Sequence, residues 1–241
     1  MAEALTAADW EGFAARRKES SARGRCRGIG IANYIEVTSG IPRERVELTI
    51  CDDGTLPGAR GALNVDDEGN ATENTVLVEN GVLRSYLHDQ ISARHYGVKP
   101  TGSGRRQSFR HPTLPRMRCT YMRSGPHDPK AIVASVKRGI FCETFANGAV
   151  AIGGGDFSFY VRHGYLIEDG QLTQPIKDVN LIGNGPEVLE AIEMVGNDLR
   201  VDEGGWTCGK EGQGVPVSQG MPTVKVGKLS TGRHKRLKFE F

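Results

Sequence analysis

Two short stretches constrain this chain more than any others: VLVENGVLRSY, centred on Asn80-Gly81, and GYLIEDGQLTQPI, centred on Asp169-Gly170. In each, an Asn/Asp–Gly pair sits between apolar runs. A two-residue type I′ turn needs positive φ at both central residues, which Asn, Asp and Gly tolerate best. Each stretch therefore predicts an antiparallel β-hairpin. Two similar copies are too few for a repeat array. AVAIGGGDFSFYVRHGYLI alternates Phe157, Phe159 and Val161 with polar neighbours, the pattern of a half-buried strand. The 32 glycines and 7% aromatic content fit a turn-rich, strand-rich chain.

Helices are expected among these strands. Residues 6–23 open with Thr6 and Asp9 in a capping-box-like spacing, carry Trp10, Phe13 and Ala14 on one face, and stop at Gly24. RGIGIANYIEV and ERVELTI follow as β-like runs. Residues 82–95 place Leu83, Leu87 and Ile91 at i, i+4 and i+8. Residues 129–138 begin at Asp128-Pro129 and stop at Gly139; residues 186–195 begin at Pro186, stop at Gly196 and line up Leu189, Ile192 and Val195. The sum is an α+β fold dominated by an antiparallel, barrel-like sheet with a few short helices. The final stretch, RHKRLKFEF, reads as a solvated basic tail.

A net charge of +2 gives no footprint for nucleic acid. No apolar run approaches the roughly 20 residues that span a bilayer, so no membrane association is expected. The start, MAEALTAADWEG, is acidic and lacks the apolar centre of a signal peptide. Cys26, Cys51, Cys119, Cys142 and Cys208 are scattered, odd in number and without a CxxC pair. The expectation is a cytoplasmic protein with reduced thiols.

Most candidate chemistry reduces to ordinary structure. TGSGRR, at Thr101–Arg106, lacks the Gly-Lys-Ser/Thr of a phosphate loop, and IGNGPEV has Val188 where a dinucleotide fingerprint needs its third glycine. None of His88, His95, His111, His127, His163 or His234 sits in H-E-x-x-H, and no G-x-S-x-G elbow occurs. His88 and His95, two turns apart on the predicted helix, are expected to be surface or structural. Asp66, Asp67 and Glu68 are expected as turn residues, with cation binding or acid–base work as the alternative. WTCGKEGQG leaves an open question: why a cysteine, Cys208, sits in a glycine-rich turn.

DDGTLPGARGALNVDDEGN, TVLVENGVLRSYLHDQISARHYGVKPTGSGRRQSF, LPRMRCTYM, YLIEDGQL, LIGNGPEVLEAIEMVGNDL and CGKEGQGVPV occur in that order. Together they resemble the C-terminal domain of the TldD/TldE (PmbA) family of zinc metalloproteases, over residues 51–226. The resemblance implies a β-rich domain packed on an N-terminal α/β domain. It also implies a homodimer, or a heterodimer of paralogues, that trims peptides. In the family, zinc is held by two histidines of an H-E-x-x-x-H helix and by the cysteine of this last motif, which corresponds to Cys208. Zinc favours thiolate and imidazole, and a catalytic site keeps one position open for water. Gly209, Gly212 and Gly214 would allow close backbone approach, and Glu211 would orient a ligand or lie at the surface.

H-E-x-x-x-H does not occur in these 241 residues. Two ligands and the general base are therefore missing, and no catalytic residue is assigned. Cys119 stands where the family usually has asparagine. WEGFAARRKESSARGRCRGIGIANYIEVTSGIPRERVELTI resembles an internal segment of the molybdenum-binding subunit of xanthine dehydrogenase and aldehyde oxidase enzymes. The expected organisation is a fusion: residues 1–50 from that source, a peptidase-type domain over 51–228, and a tail over 229–241. The expected function is that of a metallopeptidase C-terminal domain with an incomplete zinc site, inactive alone. The alternatives are a peptide- or partner-binding module and, remotely, an oxidoreductase fragment.

Overall fold

The computed structural model describes residues 11–23, 47–151, 153–202, 204–227 and 230–233. The chain divides into two compact units, Met1–Arg43 and Glu44–Phe241. In the first, helix α1 spans Phe13–Ala22 and ends at Arg23. Thr6, Asp9, Trp10, Gly24 and the β-like run 27–37 lie outside the described residues.

Among the described residues, the second unit holds three further helices: α2 (Gln90–Tyr96), α3 (Pro129–Ala134) and α4 (Gly185–Glu190). Its strands are β1 (Thr49–Asp53), β2 (Asn74–Glu79), β3 (Val82–Leu83), β4 (Gly104–Arg105), β5 (Leu114–Pro115), β6 (Cys119–Met122), β7 (Arg138–Val150), β8 (Asp156–Glu168), β9 (Gln171–Pro175), β10 (Val179–Asn184), β11 (Ile192–Val195), β12 (Arg200–Val201), β13 (Thr207–Lys210), β14 (Gln213–Pro216), β15 (Ser218–Met221), β16 (Val224–Val226) and β17 (Ser230–Arg233). A six-stranded sheet runs β12-β15-β6-β1-β2-β3, and a five-stranded one runs β17-β10-β8-β7 with β9 also on β8. Among the described residues the strands pair antiparallel except β15 on β6, and an isolated bridge from His127 to Gly196 is also parallel. The fold is α+β, as the alternating patterns require. It is not a closed barrel: the six-stranded sheet ends on the two-residue strands β3 and β12.

Both expected hairpins form. Asn80 and Gly81 have φ 52° and 75°, and Asp169 and Gly170 have φ 47° and 76°, the left-handed values a type I′ turn demands. The first turn also corrects the helix expected over 82–95. It commits Val82 and Leu83 to pairing with Glu79 and Val78. Helix α2 starts only at Gln90, where the Asp89 carboxylate accepts the Ser92 N–H at 2.7 Å and the Ser92 hydroxyl bonds back to the Asp89 N–H. Leu83 and Ile91 are consequently exposed, at 56% and 72%.

The other two helices are shorter than their patterns suggest. Helix α3 keeps its expected start, with the Asp128 side chain accepting from the Lys130 N–H at 2.7 Å. It stops at Ala134 because the Val136 and Lys137 carbonyls are taken by the Gly170 and Asp169 N–H groups of the second hairpin turn. Helix α4 ends at Glu190, and Ile192–Val195 becomes β11, paired with β16. Leu189, Ile192 and Val195 do converge, in the cluster of Leu48, Met122, Ile192 and Val195 with Leu189 packed against it. They arrive there from a helix and a strand. Ser230–Arg233, expected as part of the tail, pairs with β10; residues 234–241 lie outside the described residues.

The hairpin that carries Cys208

Cys208 lies on β13, opposite Val215 of β14, with Gly209 opposite Gly214 and Lys210 opposite Gln213. Glu211 and Gly212 form the turn between them, at φ 50° and 73°. This is a third type I′ hairpin. Gly212 is needed for its φ. Glu211 is an exposed turn residue. A Cβ at Gly209 would meet nothing within 4 Å, so that glycine answers to no close approach within the described residues. A Cβ at Gly214 would lie 3.0 Å from Thr207 Cγ2. Cys208 itself is a free, half-buried thiol.

The hairpin is fastened to a segment about a hundred residues earlier in the chain by polar groups. Arg105 donates Nη1 to the Met117 carbonyl at 2.7 Å and Nη2 to the Pro216 carbonyl at 2.9 Å. Arg116 Nη2 donates to the carbonyls of Cys208 and, at 3.1 Å, Gln213, one on each strand. Gln213 accepts the Gln107 N–H at 3.0 Å and donates to the Pro112 carbonyl at 2.9 Å. Gln107 Oε1 accepts the Gly214 N–H at 2.7 Å, and Lys210 Nζ reaches the Pro115 carbonyl at 3.2 Å. Arg105, Arg116 and Gln213 are all buried. Burial pushes the Arg105 guanidinium below its ordinary range; Asp52 and Asp67 oppose that shift, and the neighbouring Arg116 charge adds to it. These arginines were not singled out from the sequence. The available signal was period-2 spacing, which puts Arg116 and Arg118 of LPRMRC on one face of an extended run.

The remaining candidates are structural. Asp66 is buried and accepts from the N–H groups of Glu68, Asn70 and Gly104, at 3.0, 2.8 and 3.0 Å. It is a turn residue as expected, but a buried one. Asp67 takes the Arg106 N–H at 2.9 Å, while Glu68 takes the Gln90 N–H at 2.8 Å and the Thr113 hydroxyl at 3.1 Å. TGSGRR is a buried connection rather than a phosphate loop: Arg105 is 6% exposed and its guanidinium is committed to main-chain carbonyls. His88 and His95 do not share a helix, because His88 precedes the Asp89 cap; its Nδ1 lies 3.3 Å from the Ser92 hydroxyl, and its ring packs on Tyr86 and Tyr96. Cys119 is 1% exposed, with burial pushing its thiol up and a Ser218 contact partly offsetting that. Among the described residues, no three His, Cys, Asp or Glu side chains group as a metal site. Cys208 fits zinc in donor type, and it is one donor where a catalytic site needs three.

The fold defines the class, an α+β domain built on antiparallel sheets. The model of the PmbA/TldA metallopeptidase C-terminal domain matches residues 45–233, and the chain is a member of that family. The metalloprotease TldD homolog of Buchnera aphidicola subsp. Acyrthosiphon pisum is 46% identical over 184 residues, covering 76% of this chain and 38% of that protein. The zinc metalloprotease TldD homolog of Saccharolobus solfataricus is 35% identical over 167 residues, covering 69% of this chain and 37% of that protein. The chain thus spans well under half the length of these relatives. The crystal structure of a proposed DNA gyrase modulator from Thermotoga maritima superposes with a TM-score of 0.62 at 26% identity, covering 77% of this chain and 39% of that one. TldE from Thermococcus kodakarensis shares the fold, with a TM-score of 0.61 at 21% identity, covering 78% of this chain and 41% of that one.

Proposed function

We propose that this chain supplies the C-terminal domain of a TldD/TldE-type metallopeptidase, with Cys208 as one zinc ligand of a site whose other ligands and general base lie on an H-E-x-x-x-H segment these 241 residues do not contain. The observation that carries this reading is the free thiol of Cys208, held on a family-type hairpin by buried arginines. One thiolate does not make a zinc site of useful affinity. The chain alone therefore does not hydrolyse peptides. The test is zinc per chain in protein purified without added metal, beside a peptidase assay. A stoichiometry near zero without peptidase activity supports the reading. One zinc per chain, lost in Cys208→Ala, or zinc-dependent hydrolysis, overturns the incomplete site.

A second reading is a pairing module that joins a TldD/TldE paralogue, or a second copy of itself, around a peptide substrate. It is favoured by the β3 edge of the six-stranded sheet, where Val82 and Leu83 are 51% and 56% exposed. An extended segment can add to such an edge through main-chain hydrogen bonds. Co-expression with a full-length paralogue tests it: a complex supports pairing, and two species that elute separately exclude it.

The organisation inferred is a fusion, with residues 1–50 of molybdenum-hydroxylase type joined to a peptidase-type domain over 51–228. Amplifying and sequencing genomic DNA and transcript across the junction tests this. The inferred setting is cytoplasmic: Cys51, Cys119, Cys142 and Cys208 are free, and no helix among the described residues is long and apolar enough to cross a membrane. The near-neutral net charge argues against a nucleic-acid partner.

A further inference from the structure

Arg116 is costly where it sits. It is 1% exposed, and its Nε and Nη1 have no hydrogen-bond partner among the described residues. The buried carboxylate of Asp52 is committed to Arg118, 2.6 Å away. Arg116 also lies close enough to Arg105 for their charges to repel. A buried cation with unmet donors works against folding unless it does something else. Its one engaged nitrogen, Nη2, bridges the carbonyls of Cys208 on β13 and Gln213 on β14. No other side chain of the network bonds to the backbone of Cys208: Gln107 holds Gly214, Arg105 holds Pro216, and Lys210 and Gln213 reach outward. The apolar share of the hairpin's anchoring is small, with Val215 as its one buried apolar side chain.

We propose that Arg116 is a positioning residue for Cys208, a buried cation that locks both strands of the cysteine hairpin onto the 104–117 segment. The proposal rests on the reading of Cys208 as a ligand. Its test is independent of that reading, because it uses the full chain free of metal.

The measurement is amide hydrogen exchange by mass spectrometry, in Arg116→Gln and Arg116→Lys. Losing a charged bridge across two carbonyls opens the hairpin locally, so exchange over 207–216 speeds up about tenfold or more in Arg116→Gln. Strands β1, β6, β8 and β10 keep their protection. Arg116→Lys restores part of the hairpin's protection, since an ammonium still reaches a carbonyl but cannot bridge two as the planar guanidinium does. Gln107→Ala, at the exposed rim, has a much smaller effect. If Arg116→Gln does not fold, Arg116→Lys must still show selective loosening over 207–216. Unchanged hairpin exchange in both arginine variants overturns the proposal. So does acceleration of the whole domain in step, the mark of a general structural role.

Discussion

Arg118 and Asp52 form an ion pair with no exposed surface: Nε lies 2.6 Å from Oδ1, and both side chains are 0% accessible. The pair is fully furnished. Asp52 Oδ2 also accepts the Arg118 N–H at 2.8 Å and the Thr120 hydroxyl at 2.7 Å. Arg118 spends its remaining donors on the Thr101, Gly102 and Asp52 carbonyls and the Thr75 hydroxyl. It thereby ties β1 and β2 to the 101–102 connection, the segment that leads to Arg105.

Removing one partner strands the other. Asp52→Ala is expected to lose about 3–5 kcal/mol, read as a fall in the urea midpoint at unchanged slope. Arg118→Met added to Asp52→Ala recovers part of that loss, because the stranded cation is gone. A single-variant loss below about 1 kcal/mol would show that the pair is not buried as described.

The glycines beside Cys208 separate by conformation. Gly212→Ala places a Cβ at φ 73° and costs about 1–2 kcal/mol. Gly209→Ala meets open space in an extended strand and shifts stability by no more than about 0.5 kcal/mol. Equal destabilisation by the two, in parallel urea titrations, would contradict the hairpin register.

Acid stability follows two carboxylates. Burial pushes Asp53 up, but hydrogen bonds from Thr55, Tyr121 and Asn74 outweigh it and leave the group below its ordinary value. Asp198 is likewise lowered, with Thr223 bonds outweighing burial. A carboxyl with a depressed folded-state pKa contributes stability that is fully present above the unfolded value, about 3.9, and lost as pH falls through the folded one. The urea midpoint should therefore drop from about pH 5 downward. Asp53→Asn should be less stable at pH 7 and show a shallower acid limb. An acid limb as steep as wild type's would refute the assignment.

Thiol reactivity should fall where the surrounding protein desolvates the sulfur. Burial pushes Cys142 up to about 11 from an ordinary 9.0, and burial raises Cys51 and Cys119 as well. At pH 8 Cys142 should alkylate about a hundredfold more slowly than an unperturbed thiol, since only the thiolate reacts. Residue-resolved mass spectrometry of iodoacetamide adducts reads this directly. Labelling of Cys142 at the rate of a model peptide would show that the site is solvated.

What the sequence determined by itself was local or already assembled as motif. Asn80-Gly81 and Asp169-Gly170 specify their turns because positive φ at successive residues excludes nearly every other pair. Asp128-Pro129 specifies where α3 begins, because the cap bonds within its own turn. The CGKEGQG motif pointed to Cys208 and its family. Where α2, α3 and α4 start or end was decided by tertiary pairing: β3 claims the start of one, the Asp169-Gly170 turn claims the carbonyls after another, and β16 draws Ile192–Val195 out of the third. A 3.6-residue apolar pattern cannot register a competing strand partner distant in the sequence. The clamp on Cys208 is hardly more legible: the spacing of LPRMRC puts Arg116 on one face of an extended run but does not say that the face is buried. Arg105, Arg116 and Gln213 look like surface residues in a sequence, since charged and amide side chains are usually solvated. Only the folding of 104–117 against 207–216 buries them, and burial is what turns three ordinary polar side chains into the fastening of the cysteine hairpin.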